Sequence, residues 1–188
     1  MNAMNAALEA LWPARLDTGP ATYEDIRERF DRLLRQAGVE PVAFSHVGIV
    51  VADVVQGLKQ AADALGKAWL EAEPVWGEAF GCTIARRVED GIEYELIQPE
   101  REGFLKRHLE EHGPGVQHLS FTVPDLGRAL SDLLAAGAKM AVPGTWGGLH
   151  GSIAFVRPPE FAPLCLELCE SAVPACGHKG VGDQGECR

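Results

Sequence analysis

No uninterrupted apolar stretch approaches the roughly 20 residues that a membrane-spanning helix needs. The opening segment, Met1 to Leu16, also lacks the basic start and apolar run of a secretory leader. A cytoplasmic protein with no membrane partner is the expectation. Basic residues are scarce: 17 Lys and Arg stand against 27 Asp and Glu, a formal charge of −10. No basic stripe is available to neutralise a phosphate backbone, so nucleic acid is excluded as a partner. An anionic small molecule is not excluded, because it needs only a local pair of Arg or Lys. Five cysteines, Cys82, Cys165, Cys169, Cys176 and Cys187, are an odd number at irregular spacing. They make no disulfide framework and fit free thiols. What is present is ordinary core material, 46% hydrophobic over 188 residues, enough for one domain or for one domain built from two small halves.

The informative feature is a repeat. Phe44-Ser45-His46-Val47-Gly48-Ile49-Val50-Val51-Ala52-Asp53-Val54 aligns with Val116-Gln117-His118-Leu119-Ser120-Phe121-Thr122-Val123-Pro124-Asp125-Leu126 at an offset of 118 − 46 = 72. Tyr94-Glu95-Leu96 aligns with Leu166-Glu167-Leu168, and 167 − 95 is again 72. One ungapped shift therefore superposes two His…Glu pairs. A chain that repeats its fold about a pseudo-two-fold axis brings repeated ligands together on that axis, and two imidazoles with two carboxylates suit a divalent metal.

Each copy reads as a βαβββ module, giving an α+β fold with modules over 42–100 and 115–171 within a domain spanning 40–172. Ala43 to Val51 is β-branched and apolar, Asp53 is a helix N-cap, and Val54, Leu58, Ala61, Ala62 and Leu65 give a helical face. Another strand is expected near residues 71–77. Glu89-Asp90-Gly91 between two alternating runs, Cys82 to Val88 and Ile92 to Gln98, is a hairpin signal. Pro99 ends that run, and Gly103 to His112 is a short linker helix closed by Gly113-Pro114-Gly115. In the second copy Asp125 caps a helix ended by Gly137, and Ser152 to Arg157 and Leu164 to Cys169 are the closing strands. Residues 1–39 read as an extension with one amphipathic helix, Thr22 to Gln36. Its stripe of Ile26, Phe30, Leu33 and Leu34 is expected to cover a sheet edge or to support a homodimer. Residues 173–188 have no period and read as a flexible tail.

Side chains alternate along a strand, so His46 points away from Val47, Ile49 and Val51, and His118 away from Leu119, Phe121 and Val123. Glu95 and Glu167 likewise oppose their apolar neighbours. All four polar groups are thus expected on the concave face, inside a half-barrel cleft. Cys165 and Cys169 flank Glu167 at two-residue steps and point with it, either as soft zinc ligands or as small residues lining the cavity. With four protein ligands, an octahedral Zn, Fe, Co, Ni or Mn ion keeps two open positions for a substrate's oxygens.

These residues resemble the vicinal oxygen chelate superfamily (glyoxalases, bleomycin-resistance proteins and dioxygenases), and within it methylmalonyl-CoA epimerase. The resemblance covers about residues 42–171. It rests on Phe104-Leu105-Lys106-Arg107 through His118 to Leu126, on Glu95-Leu96-Ile97-Gln98-Pro99, and on Ala154-Phe155-Val156-Arg157-Pro158 with Leu164-Cys165-Leu166-Glu167-Leu168. It implies one divalent metal (Co, Mn, Zn, Ni or Fe) held by His46, Glu95, His118 and Glu167. It also implies a small-molecule substrate, an acyl-CoA or other carboxylate-bearing compound, epimerised through bases on two faces. Glu167 is one candidate base. Glu78, in Glu78-Ala79-Phe80-Gly81, fits the place of the other, and 78 + 72 = 150 makes His150 its counterpart by the offset. The chain departs from the family at Gln117, where a second His is common, and at Arg157, where the closing hairpin has His before Pro. Arg86, Arg87, Lys106 and Arg157 are candidates to meet an anionic group or to form surface ion pairs. Alternatives are a glyoxalase I-like lyase, whose link between the second and third ligands is shorter than the 23 residues here, and an Fe(II) extradiol-type dioxygenase on His46, His118 and Glu167. A non-catalytic ligand-binding protein is a third.

Overall fold

The computed structural model describes residues 3–148 and 151–170. His150, Cys176, Cys187 and the tail at 173–188 lie outside the described residues. In chain order the elements are α1 (Ala3–Leu11), β1 (Ala14–Leu16), β2 (Gly19–Ala21), α2 (Tyr23–Gln36), β3 (Ala43–Val50), α3 (Val54–Leu65), β4 (Val75–Gly77), β5 (Cys82–Glu89) and β6 (Ile92–Pro99). They continue with α4 (Phe104–His112), β7 (Gly115–Val123), α5 (Leu126–Ala135), β8 (Lys139–Met140), β9 (Trp146–Gly148), β10 (Gly151–Arg157) and β11 (Cys165–Glu170).

The local signals operate where the sequence puts them. Asp53 and Asp125 cap α3 and α5, their Oδ1 atoms accepting from Gln56 N at 2.8 Å and Arg128 N at 2.9 Å. Thr22 caps α2 by accepting from Asp25 N at 3.1 Å. Asp90 and Gly91 both take positive φ, 49° and 78°, as a two-residue hairpin turn between β5 and β6 requires.

One curved sheet among the described residues runs β4-β5-β6-β3-β7-β11-β10-β8, with β9 also paired to β10. Within each module the first and last strands are parallel, β3 with β6 and β7 with β11. The modules meet antiparallel along β3 and β7. The register of that seam states the pseudo-dyad. His46 faces Ser120 and Gly48 faces His118, and a shift of 72 converts either pair into the other. The parallel pairs obey the same shift, with Gly48 opposite Glu95 and Ser120 opposite Glu167.

The sheet separates two apolar layers. Val47, Ile49, Val51, Tyr94, Leu96, Leu119, Phe121, Leu166 and Leu168 pack with α3 and α5 on the outer face. Val50, Cys82, Ile84, Ile97, Ile153, Phe155, Cys165 and Cys169 line the inner face, joined by Phe104 and Leu105 of α4.

Residues 1–39 differ from the one-helix extension expected. They hold two helices and the β1–β2 hairpin. Their apolar stripe is spent within the chain: Leu8, Trp12, Ile26, Phe30 and Leu34 are at most 2% exposed and belong to the outer core. Phe30 stacks on Phe161 at 4.1 Å, and Arg27 lies over the ring of Phe44, which meets Phe121 edge to face at 5.3 Å. The outer face of so broad a sheet exceeds what α3 and α5 cover, and the N-terminal segment buries what they leave. No helix of the described residues is long and apolar enough to cross a membrane.

Candidate metal centre

Four side chains from the four central strands meet on the inner face. His46 and His118 approach Nε2 to Nε2 at 3.3 Å. Glu167 Oε2 lies 3.4 Å from His46 Nε2 and 3.0 Å from His118 Nε2, and Glu95 Oε2 lies 3.7 Å from His46 Nε2. His46, Glu95 and His118 offer ligand atoms that all fall within 4.8 Å of one another. Every one of the four residues is at most 5% exposed. Buried charge is costly unless compensated, so four such groups turned inward call for a cation between them.

The partners behind the imidazoles sharpen that requirement. Gln117 Nε2 donates to Cys165 Sγ at 3.2 Å, which leaves Oε1 as the acceptor for His118 Nδ1–H at 2.7 Å. His118 Nε2 is thereby left a lone pair facing a carboxylate oxygen. Two electron-rich atoms at 3.0 Å need a shared proton or metal ion. Ser45 Oγ stands 3.1 Å from His46 Nδ1 in the same relation. Metal-bound histidines hold their other ring nitrogen in this way. Bonds of about 2.1 Å to a common ion place neighbouring ligand atoms about 3.0–3.4 Å apart, and the two imidazoles and Glu167 already stand at that spacing. The donor set fits the group.

Where protons rather than an ion fill that place, burial alone would push the Glu167 carboxyl up, but the charge of a protonated His46 and hydrogen bonds from both imidazoles outweigh it and hold the group well below the ordinary carboxylate range. Glu167 Oε1 accepts from the Cys169 thiol at 3.0 Å. Burial first, then the neighbouring Glu167 charge, pushes Cys169 far up, so it is a thiol rather than a ready thiolate ligand. Burial likewise raises Cys165. Both cysteines are buried in the inner core behind the cavity, not among the residues that line it.

Above the four groups lies a cavity of about 220 Å³ walled by Phe80, Ile84, Leu105, Ile153 and Phe155. Phe155 meets the His118 ring at 5.2 Å, and Phe80 stands against Phe155 and Trp146. A wider groove of about 770 Å³ between α2 and the start of β3 is open, flanked by Arg27, Asp31, Arg32 and Arg35, and contains none of the convergent groups.

Glu78 lines the same cavity at its rim and is largely exposed. Hydrogen bonds from the Trp76 indole and from Arg101 Nη1, the latter at 2.9 Å, hold its carboxyl below the usual range. Its counterpart by the offset, His150, falls outside the described residues. The 72-residue shift does not extend to the outer hairpins: Ala85 pairs with Leu96 and Ala154 with Leu168, an offset of 154 − 85 = 69. The second hairpin has a longer turn, while β4 and β9 keep an offset close to that of the repeat, since Val75 pairs with Ile84 and Trp146 with Ile153, 146 − 75 = 71.

Of the candidate cations, Arg86 and Arg87 form surface ion pairs with Glu93 and Glu89. Arg157 turns toward Cys165, its Nη2 at 3.7 Å from the sulfur. Ser45 and Gln117, the groups behind the two imidazoles, obey the same repeat, since 117 − 45 = 72.

The profile of the Glyoxalase/Bleomycin resistance protein/Dioxygenase superfamily matches residues 45–155, more than half of the chain. Among curated proteins no sequence match is found. Solved structures share the fold. The methylmalonyl-CoA epimerase of Mycobacterium tuberculosis is 24% identical, with a TM-score of 0.55 over 71% of this chain and 90% of that one. A Streptomyces coelicolor methylmalonyl-CoA epimerase in complex with 2-nitronate-propionyl-CoA is 21% identical, with a TM-score of 0.58 over 71% and 100%. A hypothetical protein of Bacillus halodurans is 21% identical, with a TM-score of 0.56 over 72% and 98%.

Proposed function

The chain belongs to the Glyoxalase/Bleomycin resistance protein/Dioxygenase superfamily, and from that premise we propose that it is a metal-dependent epimerase or isomerase. It moves a proton on the carbon next to a carbonyl or thioester, with an acyl-CoA of the methylmalonyl type as substrate. The observation that carries this reading is the convergence of His46, Glu95, His118 and Glu167 at the floor of an apolar cavity. The acyl-CoA ligands named for structural neighbours support the substrate class.

The four side chains would hold a divalent Co, Mn, Zn, Ni or Fe ion, which when bound supplies Lewis acidity toward the substrate's carbonyl oxygens. The rest falls to the chain itself. Glu167, with Oε1 held by Cys169 and Oε2 on the cavity floor, takes the acidic proton. Glu78 at the rim serves the other face once it leaves Arg101 and Trp76. Phe80, Ile84, Leu105, Ile153 and Phe155 keep water from the carbanionic carbon. A homodimer and a cytoplasmic location complete the proposal.

The test is solvent deuterium exchange with metal-reconstituted protein on methylmalonyl-CoA, on the methylglyoxal–glutathione hemithioacetal and on a catechol under air. Deuterium entering C2 of methylmalonyl-CoA supports the epimerase. Turnover of the hemithioacetal alone moves the chain to the glyoxalase I-like lyases, which use the same kind of ligand set. Oxygen uptake on the catechol would make it a dioxygenase, a reading that Glu95 opposes by filling a fourth position. Binding without turnover of any substrate would leave a ligand-binding protein.

A further inference from the structure

We propose that Cys169 is a positioning residue for the centre, its thiol, backed by Ser120, fixing the Glu167 carboxylate with one oxygen toward both imidazoles. The inference rests on the metal reading above. Cys169 Sγ lies 3.0 Å from Glu167 Oε1, and Ser120 Oγ lies 3.1 Å from the same sulfur. A carboxylate only accepts, so the single S–H proton goes to Glu167. The serine hydroxyl must then donate to the sulfur. The result is a one-way relay, Ser120 O–H to Cys169 S–H to Glu167 Oε1. All three residues are at most 4% exposed. Strand pairing holds the relay in place, since Ser120 of β7 stands opposite Glu167 of β11.

The pseudo-dyad supplies an internal control. A shift of 72 carries Glu167 to Glu95, Cys169 to Ile97 and Ser120 to Gly48. Neither Ile97 nor Gly48 has a side-chain donor. The relay therefore exists in one half of the repeat only, and it makes the two carboxylates inequivalent: Glu167 has its distal oxygen tied down by this thiol, so Oε2 is the atom presented to His46 and His118.

The experiment titrates Co(II) into chelator-stripped full-length protein and follows both the dissociation constant and the visible d–d bands. Cys169→Val, which removes the donor, is expected to weaken Co(II) binding by about 10–100-fold and to change the band envelope, the usual effect of losing a group behind a ligand. Cys169→Ser, which keeps a donor, is expected to restore both toward wild type. Ser120→Ala, a second route to the same relay should Cys169→Val not fold, is expected to weaken binding in the same direction. Wild-type affinity and bands in Cys169→Val would overturn the proposal. So would equal losses in the Val and Ser variants, which would mean packing alone. A thiolate-to-cobalt charge-transfer band in the wild type that disappears in Cys169→Val would make the cysteine a ligand instead. Failure of the wild type to take up Co(II) removes the metal reading and this inference together, an outcome distinct from all of these.

Discussion

Gly48 and His118 face each other across the β3–β7 seam, and the imidazole occupies the space where a side chain on residue 48 would be. A Cβ at Gly48 would sit 2.0 Å from His118 Cε1. The glycine is needed for close approach between a backbone and a ring, with no demand on its φ. Gly48→Ala should displace His118 and abolish tight metal binding while costing about 1–3 kcal/mol of stability, the range for overpacking a core. Paired Co(II) titration and chemical denaturation check this. Undiminished Co(II) affinity would mean that the ring has another place to go.

The two carboxylates should respond differently. Glu167→Gln is expected to lower solvent deuterium exchange by about 10²–10⁴-fold, the contribution of a positioned base. Glu95→Gln is expected to weaken metal affinity by about 10-fold or more, with exchange recovering at saturating metal. Full exchange in Glu167→Gln would end its role as a base.

Gln117 is expected to act through His118 alone. Its amide receives Nδ1–H and is itself oriented by Cys165. Gln117→Leu removes the acceptor and should reduce metal affinity by about 10–100-fold, with Gln117→Glu largely sparing it. Equal affinity in Gln117→Leu and wild type, measured by competition with a chelator, would show that ring orientation is set by packing.

His108, on α4 and 5% exposed, gives a pH prediction for stability. Burial chiefly, with the nearby His112 and Arg157 charges, lowers its pKa from 6.5 to about 4. The unfolded chain then binds the extra proton first as pH falls. Stability is full above the unfolded pKa, falls between pH 6.5 and about 4, and levels off below. The shift corresponds to about 3 kcal/mol. Denaturation midpoints of metal-free His108→Leu should be flatter than wild type across that window, and parallel curves would exclude His108 as the cause.

The N-terminal segment should prove structural. Phe30 is fully buried and stacked on Phe161. Phe30→Ala should cost about 3–5 kcal/mol, and deletion of residues 22–37 should unfold the chain rather than split a dimer. A deleted protein with wild-type melting and half the sedimentation mass would reverse that view.

The sequence by itself determined the two modules, the helix caps at Asp53 and Asp125, the Asp90-Gly91 hairpin and the inward face of His46, Glu95, His118 and Glu167. Caps, tight turns and strand alternation are short-range effects, and an ungapped repeat carries them through β3, β6, β7 and β11. Only the tertiary structure decided what depends on distance through space. The antiparallel seam brings the two histidines to 3.3 Å. The longer second hairpin moves β10 three residues off the offset of the repeat, to 154 − 85 = 69. Cys169 reaches Glu167 while its repeat mate Ile97 offers Glu95 no donor. The stripe of α2 looked available to a partner because a local pattern records that a face must be buried and not what buries it. The sheet's uncovered outer face answered that within the same chain.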